Sequence, residues 1–250
     1  MDLSEVLRHK GGPRTAHFIE VPTPLGKLRL DLLGEVGAAL AQTGTTPEEQ
    51  EATEEAIDGA RAKIAVGDVD GAKKLLVDAV KQYPYAANVY GMLYDVYTAE
   101  GNLGEAEFCM KQAIALGPDF RNLTFLARNL GRQGRLEEAA MVQEYLWQTR
   151  SQAPPEQALD AIHDYLVTLG RLQQPRTMMD VCMRAMQEHG SETTLVYQYI
   201  FALVLSDQQD AAREHLRRVL PQLDADDPLY PRFVQMHDFL GTATHLPADG

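Results

Sequence analysis

From residue 47 to residue 222 the apolar positions keep a helical period. Tyr90, Leu93, Tyr94 and Tyr97 fall at i, i+3, i+4 and i+7, and Ala106, Met110, Ala113 and Ile114 form a second such run. Gly101 separates the two runs, because glycine tolerates the left-handed backbone that ends a helix. Pro118 closes the second, since proline cannot continue a helix from its interior. No segment of this region alternates like a strand.

The punctuation recurs. Gly67 to Gly101, Ala72 to Ala106 and Pro84 to Pro118 are each 34 residues apart, and Gly134 and Ala139 follow 33 residues on. Placing a fourth turn at Gly170 and a fifth at Asp207 gives looser spacings of 36 and 37. The pattern predicts five helical hairpins over 47–222. One hairpin cannot bury its apolar flank alone, so neighbours must stack. The small Ala72 and Ala106 open the second helices, where backbones must approach closely.

The flanks read differently. Thr23 and Pro24 offer a helix start, and Leu25, Leu28, Leu32, Val36 and Leu40 share one helical face, predicting a helix and linker over 23–46. Thr46 and Pro47 then open the first repeat, with Glu48 and Glu49 suited to its dipole. Residues 1–22 read as an extended arm, through "RTAHFIEVPTP". That arm either caps its own first repeat or enters a groove of another molecule. Over 223–241, Asp227 and Pro228 start a capping helix that turns Leu229, Phe233, Met236 and Leu240 inward. Residues 242–250 read as a frayed tail.

These motifs resemble the tetratricopeptide repeat. The second unit carries the resemblance best, through Tyr90, Leu93, Tyr97, Ala106, Met110, Ala113 and Pro118, and departs at Tyr94, where the family prefers a small residue. The first keeps Ala60, Ala72, Leu76, Ala79 and Pro84, and the third Ala127, Gly134 and Ala139. The fourth keeps Leu159, Ile162, Leu166, Gly170 and Cys182, with His163 at the small position and Pro175 at the alanine. The fifth keeps Val196, Ile200, Leu203, Ala212, Leu216 and Val219. The resemblance implies an all-α fold, a right-handed α-solenoid whose first helices line a concave groove.

The net charge of −13 argues against nucleic acid, which needs a basic face. No apolar run is long enough to cross a bilayer as a helix. The amino terminus lacks the apolar core of a secretory leader, and the two cysteines form no framework, so the expected compartment is the cytoplasm.

Catalytic signals are absent. The seven histidines show no HxxxH or HExxH spacing, no serine sits in a GxSxG elbow, and "LGRQGR" lies at a helix–helix turn rather than between a strand and a helix. His163 and Asp164 are consecutive and so point about 100° apart on a helix. Cys182 reads as a small core hydrophobe. The expectation is a non-enzyme with no metal and no cofactor.

Aligned on the turns, the expected groove residues are Arg61, Asn88, Asp95, Arg121, Arg128, Arg132, Asp160, Asp164, Tyr197 and Phe201. Arg121, Arg128 and Arg132 form a narrow stripe that either grips a carboxylate or pairs with Asp160 and Asp164. Tyr197 and Phe201 either offer aromatic surface or touch the capping helix. Some family members hold a carboxylate with a Lys, Asn, Asn, Lys, Arg set. The corresponding positions here are Ile57, Arg61, Met92, Arg121 and Phe125, of which only the two arginines could substitute. The resulting expectation is a scaffold or adaptor that takes a peptide or helical segment of another protein. The alternatives are a self-assembling coat protein, a homo-oligomer built through the arm, and an accessory subunit of an enzyme complex.

Overall fold

The computed structural model describes residues 17–23, 26–32, 46–116 and 119–242, and no side chains before residue 46. The expectations for residues 1–16 and 33–45, for Pro118 and for the 243–250 tail lie outside the described residues.

Helix α1 spans Pro47–Ala65. Thr46 Oγ1 accepts the Glu49 N–H while the Glu49 carboxylate accepts the Thr46 N–H at 2.8 Å, a reciprocal cap. Helices α2 (Val69–Gln82), α3 (Ala87–Ala99), α4 (Leu103–Leu116), α5 (Phe120–Arg132) and α6 (Leu136–Thr149) complete three hairpins. Asp68 caps α2 through the Gly71 N–H at 2.9 Å. The Lys63 ammonium, 2.8 Å away, together with that N–H, holds the Asp68 carboxyl below its ordinary range.

The hairpins stack through the residues that the periodicity marked. Ala72, Leu76, Tyr90, Leu93, Ala106, Met110, Leu126 and Ala139 are fully buried. A large apolar side chain removed from water in this way contributes roughly 1.5–3 kcal/mol. Tyr94 explains its own departure from the small residue expected there. Its hydroxyl donates to the Phe125 carbonyl at 3.2 Å and its ring stacks on Phe125, so it fastens α3 to α5.

The chain divides into two compact units, 1–153 and 154–250. The second holds α7 (Pro155–Arg171), α8 (Pro175–His189), α9 (Thr193–Leu205), α10 (Gln209–Val219) and α11 (Tyr230–Thr242). Its fifth hairpin is closed by α11, whose Phe233, Met236 and Leu240 join Ile200, Leu203, Ala212 and Leu216 in one core. Asp227 does accept an N–H, that of Leu229 at 2.8 Å, but the helix itself starts at Tyr230.

Two expectations need correction. The helix expected over 23–46 is contradicted at residues 26–32. Strand β1, His17–Thr23, pairs antiparallel with strand β2, Gly26–Leu32, so that Ile19 stands opposite Leu30 and Val21 opposite Leu28. The stretch Lys27, Leu28, Arg29, Leu30, Asp31, Leu32 alternates strictly, and that period of two overrides the coarser helical spacing of the same leucines. The hairpin's backbone lies against α4 and α6, the second helices of the second and third repeats.

The fourth turn is also displaced. Gly67, Gly101 and Gly134 have φ of +82°, +74° and +78°, and the residues that match them are Gln173 at +54° and Asp207 at +60°, not Gly170. In all five turns the following N–H reaches back five residues, as from Asp68 to Lys63 and from Gln174 to Leu169. The buried Met178 therefore takes the place of Ala72, Ala106 and Ala139, and Pro175 merely opens α8.

Candidate functional site

Three first helices of the first unit, α1, α3 and α5, border one cleft of about 380 Å³. Ile57 and Arg61 come from α1, Asn88, Gly91, Met92 and Asp95 from α3, and Arg121, Asn122 and Phe125 from α5. Asp119 stands at the rim and caps α5 by accepting the Asn122 N–H at 2.6 Å. A methyl group built at Gly91 would meet nothing within 4 Å, so the cleft is open above that glycine.

The polar groups are held in distinct ways. Arg61 pairs with Asp58 at 3.0 Å, one turn away on α1. The Arg121 guanidinium lies 5.3 Å from the centre of the Phe125 ring, and that ring stacks on Tyr94 at 5.4 Å. Asp95 is open to water yet set down among the helices. Burial raises its pKa, and the positive charge of Arg121 pulls part of that back. Burial also raises the pKa of Tyr94, with Arg132 and Arg128 among the charges that oppose the rise.

In the first unit, then, Arg61, Asn88, Asp95 and Arg121 share the cleft, whereas Arg128 and Arg132 lie further along α5 and are not among the residues that line it. All five positions matching the carboxylate-holding set line it too, with arginine at two of them. Asp119 and Asn122 had no sequence signal beyond a helix start.

In the second unit the expected groove residues fare differently. Tyr197 meets Phe233 of α11 edge-on at 5.3 Å and lies parallel to Phe201 at 6.4 Å, so both aromatics pack against the capping core. Asp160 is exposed on α7 and Asp164 half-buried. With Gln173 as the turn residue, the positions equivalent to Gly91 and Asp95 become His163 and Val167. The His163 ring nitrogen Nε2 lies 2.9 Å from Glu192 at the start of α9, and Val167 is 51% exposed.

No group of three metal-ligating side chains occurs among the described residues. Cys109 and Cys182 are buried free thiols. Burial pushes Cys109 well up and Cys182 to about 12, far from reactive thiolates. No helix among the described residues is long and apolar enough to cross a membrane.

The stacked helical hairpins are the tetratricopeptide-repeat fold, an α-solenoid class. The chain is similar to a tetratricopeptide repeat protein from Parabacteroides merdae, with a TM-score of 0.65 at 16% identity over 78% of this chain and 75% of that one. It is also similar to PilF of Pseudomonas aeruginosa (TM-score 0.58, 16% identity, 79% and 86% covered). A third similar structure is YrrB, described as a repeat protein with an unusual peptide-binding site (TM-score 0.58, 15% identity, 75% and 97% covered). No family model and no curated protein sequence matches the chain.

Proposed function

We propose that the protein is a non-catalytic interaction scaffold whose first unit seats a peptide or helical segment of another protein in the cleft between α1, α3 and α5. The observation that carries this reading is the open, mixed-polarity cleft itself. It has an apolar floor of Ile57, Met92 and Phe125, room above Gly91, and charged side chains at its borders. Such a site gains affinity from burying apolar side chains and register from the charges. The similarity to a repeat protein with a peptide-binding site supports the same reading. The two buried, unpaired thiols fit a cytoplasmic setting.

The test is affinity capture from the native cell, comparing the wild type with Arg121→Glu and with Glu137→Arg on the exposed side of α6. A partner held in the cleft is lost with Arg121→Glu and kept with Glu137→Arg. A partner retained by both variants would place binding elsewhere.

A further inference from the structure

We infer that the β1–β2 hairpin is a releasable strap, seated on an outer face of α4 and α6 that is built to receive it, and that it opens as a unit while the repeats stay folded. The small residues Ala72, Ala106, Ala139 and Ala212, with Met178 in the fourth repeat, face into the stack. The positions two and six residues after each of them point away from it. In the first, fourth and fifth repeats these positions are charged and exposed: Lys74 and Asp78 on α2, Asp180 and Arg184 on α8, Glu214 and Arg218 on α10. In the second and third they carry no charge: Phe108 and Gln112 on α4, Met141 and Tyr145 on α6. Strand β1 lies against α6, and β2 against both α4 and α6. The two helices without charge on this face are therefore the two that receive the hairpin.

Burial follows the same division. Phe108, Met141 and Tyr145 are half-buried, and Gln112 is 0% exposed. Helices α2, α8 and α10 are packed, like α4, by the helices before and after them in the chain, and that packing leaves Asp78, Arg184 and Arg218 exposed. Strand β2 is the further element on α4, so it supplies the cover over Gln112. The cover is poorly matched to what it buries. Neither the amide oxygen nor the amide nitrogen of Gln112 has a hydrogen-bond partner. With the hairpin lifted, water bonds both groups. With it seated, both are stripped of water and left unbonded, which works against closure. A two-stranded hairpin has little stability of its own, so its seat decides whether it stays. The uncharged face favours closure and Gln112 opposes it, which sets opening at a lower free energy than unfolding of the repeats beneath. Opening uncovers Phe108, Met141 and Tyr145 as one uncharged patch across the second and third repeats.

The experiment is amide hydrogen exchange on the full chain, read residue by residue by NMR. The amides paired between residues 17–23 and 26–32 are expected to exchange about 100-fold faster than those of Met110 and Leu146, yet more slowly than in an unstructured peptide. Gln112→Met keeps the length of the side chain and removes both polar groups, so it should slow hairpin exchange about tenfold without slowing α4. Phe108→Lys copies Lys74 of the first repeat and should speed hairpin exchange about tenfold. Asp78→Met, at the equivalent place on α2, should leave the hairpin unchanged. Hairpin amides that exchange only as slowly as Met110 would show a fixed part of the core and overturn the inference. Hairpin amides as fast as in an unstructured peptide would show that no seat holds them, and would overturn it too. It also falls if Gln112→Met fails to slow the hairpin, or if Asp78→Met slows it equally.

Discussion

Replacing Glu107 with glutamine removes one charge from the seam between the second and third repeats. Glu107 is 8% exposed on α4 and accepts from Lys111 at 2.6 Å, Gln133 at 2.8 Å and Arg135 at 2.6 Å. Burial alone would raise its pKa, but these donors outweigh burial and hold the carboxyl below its ordinary range. A hydrogen bond to a charged group is worth about 1 kcal/mol more than a neutral one, and two of the three donors are themselves cations. Both cations keep partial contact with water, and Arg135 retains Glu138 at 2.5 Å, so the loss is about 2 kcal/mol rather than the larger figure for a fully buried pair.

The pH dependence follows from the lowered pKa. The unfolded carboxyl titrates near about 4.3, and the folded one titrates lower. The stabilisation is complete above the unfolded value and disappears as pH falls through the folded value. Urea unfolding followed at Trp147 measures it, since that is the chain's one tryptophan, is set on α6 and is covered by Arg150 at 3.6 Å. The Glu107→Gln protein should be weaker by about 2 kcal/mol at pH 7 and nearly equal to wild type at the acid end. A deficit of the same size at both ends would show that shape, not charge, holds this seam. A deficit below about 0.5 kcal/mol at pH 7 would show that the donors simply return to water.

Other substitutions probe the turns, the cap and the thiols. Asp207→Gly should raise stability by about 0.5–1 kcal/mol in a thermal melt, because Asp207 holds φ at +60° without the freedom of glycine. Phe233→Ala should cost roughly 3–5 kcal/mol and speed hydrogen exchange in α9 to α11, since the ring is fully buried at the centre of the closing core. Cys109 and Cys182 should resist a thiol reagent at pH 8 in the native protein and react promptly in urea, as burial keeps both protonated.

The helical hairpins were legible because their rules are local. A left-handed turn residue, a small residue five positions later and an apolar stripe recur at nearly fixed intervals. Legibility failed where the chemistry has more than one solution. Glutamine at 173 can occupy the left-handed turn that glycine fills elsewhere, so a search for glycine stopped three residues early at Gly170 and shifted the groove positions of the fourth repeat. Residues 26–32 carry leucines that satisfy both a helical and an alternating pattern, and pairing with residues 17–23 decides between them. The cleft was half visible. Arg61, Asp95 and Arg121 follow from repeat geometry, whereas the Tyr94–Phe125 stack that shapes its floor depends on a tertiary contact.

Whether the first unit's groove is the working surface is best decided by photo-cross-linking in the native cell. A photoreactive residue is placed at Asn88 in the cleft or at Glu137 on the exposed flank of α6. One discrete protein joined from position 88, lost when Arg121→Glu is added and absent from position 137, is the expected result. The same protein joined from 137, or nothing joined from 88, would contradict it.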